Sequence, residues 1–203
     1  MIVLGLDTTG KACACALVDE GRILASQSNT IGRGHAERLA PMVSELLSEA
    51  GLKVADIDHI AVCTGPGSFT GLRVALAFAK GLALPRKIPV IGLSALEVHA
   101  ARHDPERTRR IITYADVRRG ELCYQMFEGG RPLTPALTET AEAAREFMSA
   151  QEADSHALDG PISAALMAWL SLDVRADTHP AEPLYSRPPD AKLPGGIDPN
   201  KTR

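Results

Sequence analysis

Hydrophobic positions come first as short runs separated by polar turns. Residues 1–6 and 12–18 are apolar runs on either side of Asp7, Thr8, Thr9, Gly10 and Lys11, a pattern that predicts a β-hairpin. A polar turn at 19–22 leads into a third strand at 23–28, so the sheet begins as an antiparallel meander. The period then changes. Leu39, Met42, Val43, Leu46, Leu47 and Ala50 recur at helical spacing, with Glu37, Arg38, Ser44, Glu45 and Glu49 mostly between them, predicting a helix over 35–50 that Gly51 ends. Pro41 is expected near its first turn, where a missing N–H costs little.

A strand over 57–63, a tight loop over 64–68 and a helix of small and apolar residues over 69–84 follow. Pro85 and Pro89 bracket the exit into a strand at 90–93 and a helix at 94–102. The second half is less regular: strands at 109–114 and 121–127 around a turn at 115–120, then helices at 140–150 and 162–170. From residue 180 onward Pro, Asp, Gly and Lys dominate, predicting an extended tail. Within the 69–84 helix, Gly71, Ala75 and Ala79 form a row at four-residue spacing, with Ala77 and Gly81 close by. Such a row admits a closely packed helix, either the chain's own 35–50 helix or one from a second subunit.

Composition narrows the class. With 203 residues, 45% of them hydrophobic, the chain can bury a core without metal or disulfide support. Lys and Arg number 22 against 25 Asp and Glu, a net charge of -3, which removes the broad basic field of a stand-alone nucleic-acid binder. Cys13, Cys15, Cys63 and Cys123 include no C-x-x-C pair, so buried, reduced thiols are expected rather than a zinc knuckle. The first residues lack a basic region and reach Asp7 quickly; neither a signal peptide nor a membrane span is predicted, and a cytoplasmic location is expected.

Four constellations carry candidate chemistry. The stretch 63–73, with Gly65, Gly67, Ser68, Gly71 and Arg73, places glycines after a strand and before a helix, where backbone N–H groups can meet an anion; a tight structural turn uses the same residues. Its spacing is neither a P-loop nor a dinucleotide fingerprint. Asp7, Thr8 and Thr9 could hold a metal-bound phosphate, or be ordinary turn residues. Asp116, with Arg118, Arg119 and Glu121, forms a second polar turn. His99 and His103 lie four apart without the Glu of an H-E-x-x-H pattern, and two exposed helix histidines are expected.

Taken together, the stretches 4–9, 35–41, 63–73, 79–82, 88–94, 116–121, 184–187 and 189–192 resemble the TsaB family, also called YeaZ, of the sugar kinase, Hsp70 and actin superfamily. The resemblance implies an α/β fold of two related actin/Hsp70-like lobes, each a mixed sheet with helices and the second reduced: 1–102, 103–188 and a flexible tail at 189–203. It implies a non-catalytic subunit that pairs with TsaD and TsaE. TsaD then moves a threonylcarbamoyl group onto the adenosine next to the anticodon of tRNAs reading ANN codons. ATP and a metal ion would be held by those partners, tRNA met indirectly, and an isolated chain would be inert and able to dimerise. The paralogous TsaD carries a metal-binding H-x-x-x-H pair, which falls on Ala95 and His99 here; Ala95 cannot be a ligand, so no metal is expected. The resemblance also places the partner-binding bundle on the 35–50 and 69–84 helices, giving Leu39, Met42, Val43, Leu46, Leu72, Arg73, Leu76 and Lys80 as contacts. Two other readings stand beside this one. A weak ATPase or phosphotransferase would use Asp7, Thr8, Thr9, Gly65, Gly67, Ser68 and Asp116, while a metallopeptidase is opposed by Ala95.

Overall fold

The computed structural model describes residues 1–186, so the tail expected at 189–203 lies outside the described residues. The chain forms two mixed sheets and, among the described residues, five α-helices. β1 (Val3–Asp7), β2 (Ala12–Asp19) and β3 (Arg22–Thr30) make the antiparallel meander. α1 (His35–Glu49) leads to β4 (His59–Cys63), α2 (Phe69–Ala83), β5 (Val90–Leu93) and α3 (Ala95–His103). The first sheet has the order β3-β2-β1-β4-β5, with β4 and β5 joining parallel to β1.

Alternation along these strands sets up two different faces. Leu4, Leu6, Cys13, Cys15, Leu17, Ile60 and Val62 point to one core, which α1 and α2 cover with Leu39, Met42, Val43, Leu46 and Leu76. Fully burying one such leucine is worth about 1.5–3 kcal/mol. Val3, Ala14, Ala16, Ala61 and Cys63 point the other way. These side chains are small, so a helix can lie close on them. That helix is α5 (Ala164–Leu170), which meets them with Ala164, Ala165 and Ala168 beside the larger Met167 and is supplied by the far end of the chain.

The second sheet runs β10 (Asp154–Ala157), β6 (Arg110–Asp116), β7 (Glu121–Glu128), β8 (Arg131–Pro132), with β9 (Leu137–Thr140) also on β7. α4 (Ala141–Ser149) covers one face through Ala144 and Met148. α3 covers the other through Leu96 and Ala100, while its Ala95 and Val98 belong to the first sheet's core. This helix therefore sits between the sheets, and Thr113 of β6 donates to the Leu96 carbonyl at 2.9 Å.

Three local expectations change. Pro41 is the seventh residue of α1, on its exposed side, where water can satisfy the Glu37 carbonyl that loses its partner. Residues 180–186 are not a loose tail at their start: the Gly92 N–H donates to the His179 carbonyl at 2.9 Å, Pro180 bridges Ile91, and Ala181 is buried. The segment covers β5, the sheet's edge strand, whose backbone would otherwise stay open for pairing. The row Gly71, Ala75 and Ala79 is fully buried, and α2 makes its main contacts with β4 rather than with a helix. No helix among the described residues is long and apolar enough to cross a membrane.

Candidate functional site

The β1–β2 tip and the glycine loop meet, and they consume one another's polar groups. The Asp7 carboxylate accepts from the Thr9 N–H at 3.0 Å and from the Thr9 hydroxyl at 2.6 Å. The Thr9 carbonyl accepts the Ser68 N–H at 2.7 Å, and the Thr8 hydroxyl donates to the Gly71 carbonyl at 2.6 Å. Ser68 in turn caps α2, its hydroxyl accepting the Gly71 N–H at 3.3 Å. Two glycines make this approach possible: a Cβ at Gly67 would sit 2.7 Å from Thr9, and one at Gly71 only 1.9 Å from the Thr8 carbonyl oxygen. Gly65 also serves the frame, its carbonyl accepting the Ala95 N–H at 2.7 Å.

Asp7, Thr8 and Thr9 are consequently buried. Burial pushes the Asp7 carboxyl above the usual carboxylate range against the opposing effect of its Thr9 hydrogen bonds. Burial likewise lifts Cys63 well above an ordinary thiol, Cys13 to about 11 and Cys15 to about 12, so these thiols stay protonated at neutral pH. All four cysteines are free and buried, as expected from their spacing. Asp116 stands at the exposed end of β6 on the second sheet, where it accepts the Arg118 N–H at 2.6 Å.

Of the eight residues expected to contact a partner, six are internal. Leu39, Met42, Val43, Leu46, Leu72 and Leu76 are buried in the chain's own core, because the helical period that exposes them to a partner equally serves the sheet beneath. Arg73 and Lys80 are exposed. The accessible apolar surface lies one helical step away, in a groove of about 480 Å³ between α1 and α2 lined by Ala36, Phe69, Thr70, Arg73, Val74, Ala77 and Phe78, with the buried Leu39 at its floor. Phe69 is 46% exposed and Ala77 is exposed; Val74 and Phe78 are half-buried. Alternation of buried and exposed positions along 69–84 carries this signal, but only once the sheet-facing side is known.

The rim of the groove is built by residues far apart in sequence. The Arg73 guanidinium lies 3.9 Å over the Phe69 ring, whose centroid is 5.3 Å from that of Tyr185, and Arg73 Nε donates to the Tyr185 hydroxyl at 3.5 Å. Tyr185 is held there by Leu184, whose N–H donates to the Thr64 carbonyl at 2.8 Å. The sequence reading missed this strap.

The histidines of α3 are not exposed as expected. His99 is 2% exposed, and burial depresses its pKa below the ordinary imidazole value. His103 is partly buried and stacks on His156 of β10, ring centroids 4.0 Å apart. Ala95 is buried in the first sheet's core.

The profile described as "TsaD: tRNA N6-adenosine threonylcarbamoyltransferase" matches residues 22–171. The chain is 37% identical over 134 residues to the "tRNA threonylcarbamoyladenosine biosynthesis protein TsaB" of Escherichia coli K12, covering 64% of this chain and 58% of that protein. The TsaB of Haemophilus influenzae is 35% identical with 52% of its length matched, so the chain spans little more than half of these curated relatives. An uncharacterized protein of Mycobacterium tuberculosis H37Rv is 30% identical over 203 residues, covering 94% of this chain and 93% of that one. Among solved structures, "YeaZ from Pseudomonas aeruginosa" superposes with a TM-score of 0.72 at 30% identity, over 91% of this chain and 99% of that one.

Proposed function

The chain belongs to the TsaB/YeaZ family, and from that premise we propose that it is a non-catalytic subunit that binds and activates a TsaD-type transferase. In this reading the pair acts in tRNA threonylcarbamoyladenosine biosynthesis, the process named for the TsaB relatives. The partner moves the threonylcarbamoyl group to the adenosine next to the anticodon of ANN-decoding tRNAs. A TsaE-type ATPase joins the assembly, the partners hold ATP and the catalytic metal ion, and tRNA is met through them in the cytoplasm. A net charge of -3 is consistent with leaving the phosphate contacts to another subunit.

The observation that carries this reading is the α1–α2 groove. Phe69, Val74, Ala77 and Phe78 present apolar surface beside the Arg73 cation, the mixture of aromatic, aliphatic and Arg groups that anchors protein interfaces. In isolation the same groove would serve a second copy as a homodimer. A stand-alone ATPase would need the Ser68 N–H and the Asp7 carboxylate free for phosphate and metal; their engagement with Thr9 favours the supporting role.

The test is a reconstituted mixture of a TsaD-type partner, a TsaE-type ATPase, threonylcarbamoyl-adenylate precursors, ATP and tRNA, with and without this chain. Product that requires the chain, and is lost with the folded variant Ala77→Glu, supports the reading. Equal modification without the chain overturns it.

A further inference from the structure

The end of α3 and the turn after β10 bring together donor groups that the supporting role does not use. His99, His103 and Asp159 each offer a ligand atom, and these atoms all lie within 4.8 Å of one another. His99 Nδ1 is 4.0 Å from Asp159 Oδ1. Among the described residues, His99 Nδ1, His103 Nε2 and His156 Nε2 are buried polar atoms without a hydrogen-bond partner. Three orphaned imidazole nitrogens in one place are uncommon, because a buried polar atom without a partner is costly.

We propose that His99, His103 and Asp159 form a binding site for one first-row divalent cation, with Zn²⁺ the best match to two imidazoles and a carboxylate. Imidazole donors favour Zn²⁺ over Mg²⁺ or Ca²⁺, which take oxygen ligands. Zn–N and Zn–O bonds of about 2.0–2.2 Å put tetrahedral donors about 3.3–3.5 Å apart, so the set must close by about an ångström. His99 is fixed by burial. Asp159 is 72% exposed, and Gly160 follows it in a left-handed turn, so the closing movement falls on that side. The exposed carboxylate leaves the remaining position facing solvent, and His156, whose ring stacks on His103, stands outside the ligand set.

The site differs from a pair one turn earlier, since Ala95 is committed to the first sheet's core and His103 supplies the second imidazole instead. Its ligands come from the helix between the sheets and from the segment that follows the second sheet's β10, so the ion would clamp the two. One group opposes it: Arg102 Nη1 lies 3.8 Å from Asp159 Oδ1 and donates to the Asp159 carbonyl at 3.3 Å. A cation must displace this guanidinium.

The opposition gives the test its sign. Zn²⁺ affinity and stoichiometry are measured on the untagged full chain by competition with a chromogenic chelator, and Co²⁺ is used to report the ligand field by its visible bands. One ion per chain is expected, weakened at least tenfold by Asp159→Ala and by His103→Ala and tightened several-fold by Arg102→Ala. Asp159 and Arg102 are surface residues, so circular dichroism should show both variants folded. The proposal is overturned by absence of binding to the wild-type chain or by equal affinity in Asp159→Ala. A Co²⁺ spectrum dominated by thiolate charge transfer would also overturn it, tracing the ion to the cysteines.

Discussion

The same substitution at two glycines of α2 should move stability in opposite directions. Gly71 lies in the first turn with its backbone against Thr8; a methyl there would sit 1.9 Å from the Thr8 carbonyl oxygen, which is backbone and cannot swing aside. Overpacking of this kind costs about 1–3 kcal/mol. Prising the loop away also endangers the Thr8 hydroxyl bond to the Gly71 carbonyl, worth about 1 kcal/mol. Against these stands a gain in helix propensity of at most about 1 kcal/mol. Gly71→Ala should therefore destabilise by about 2 kcal/mol, lowering Tm by roughly 4–8 °C for a chain of this size. Gly81 has nothing within 4 Å of the corresponding methyl, so only propensity acts, and Gly81→Ala should raise Tm by roughly 1–4 °C. Thermal unfolding followed by far-ultraviolet circular dichroism reads both. Equal shifts, or a Gly71→Ala protein at least as stable as the wild type, would refute the claim that the two loops are locked by close approach.

Asp7→Asn should stabilise the protein at neutral pH. The folded carboxyl is raised above its unfolded value, so its contribution is greatest below the unfolded pKa and is lost as pH rises through the folded one. The variant's Tm advantage should accordingly shrink toward acid pH, and a pH-independent difference would contradict the burial argument. On α2, Ala77→Glu should leave Tm nearly unchanged while weakening self-association or partner binding tenfold or more in sedimentation or titration experiments. Leu76→Glu and Ala79→Glu should instead lower stability by several kcal/mol, since each buries an unpaired carboxylate, and well-folded variants at these positions would reverse the inside and outside of the helix. Tyr185→Ala removes an aromatic contact with Phe69 worth about 0.5–1.5 kcal/mol and should cost about that much in chemical denaturation.

The regular part of the chain was legible because local period and burial agree there. β1 to β3, α1, β4, α2 and β5 follow from short apolar runs and helical spacing, and the TsaB resemblance rested on stretches within these elements as well as on the loops between them. The apolar period in α1 and α2 did not say whether Leu39 and Leu76 meet a sheet or a partner, because both demand the same spacing. β9 and β10 were missed since Thr138, Glu139, Asp154 and Ser155 carry little apolar pattern and are held by strand pairing. The strap to Tyr185 uses turn-forming residues yet is fixed by backbone bonds to β5 and Thr64, which no side-chain pattern encodes. His99 looked exposed because the second sheet that covers α3 is written later in the sequence.

The placement of α5 on the first sheet sets an order of events during synthesis. β1, β2 and β4 are complete by residue 63, but the helix that closes their small-residue face begins only at Ala164. A ribosome adding about 5–20 residues per second needs roughly 5–20 s to make the intervening hundred residues. During that interval the emerging meander has one face covered by α1 and α2 and the other open to water. Ala14, Ala16 and Ala61, with Gly5, where a Cβ would sit 2.2 Å from the Ala164 carbonyl oxygen, leave Val3 and Cys63 little apolar company on that open face, so the composition that lets α5 lie close also limits what the waiting sheet offers a passing chain.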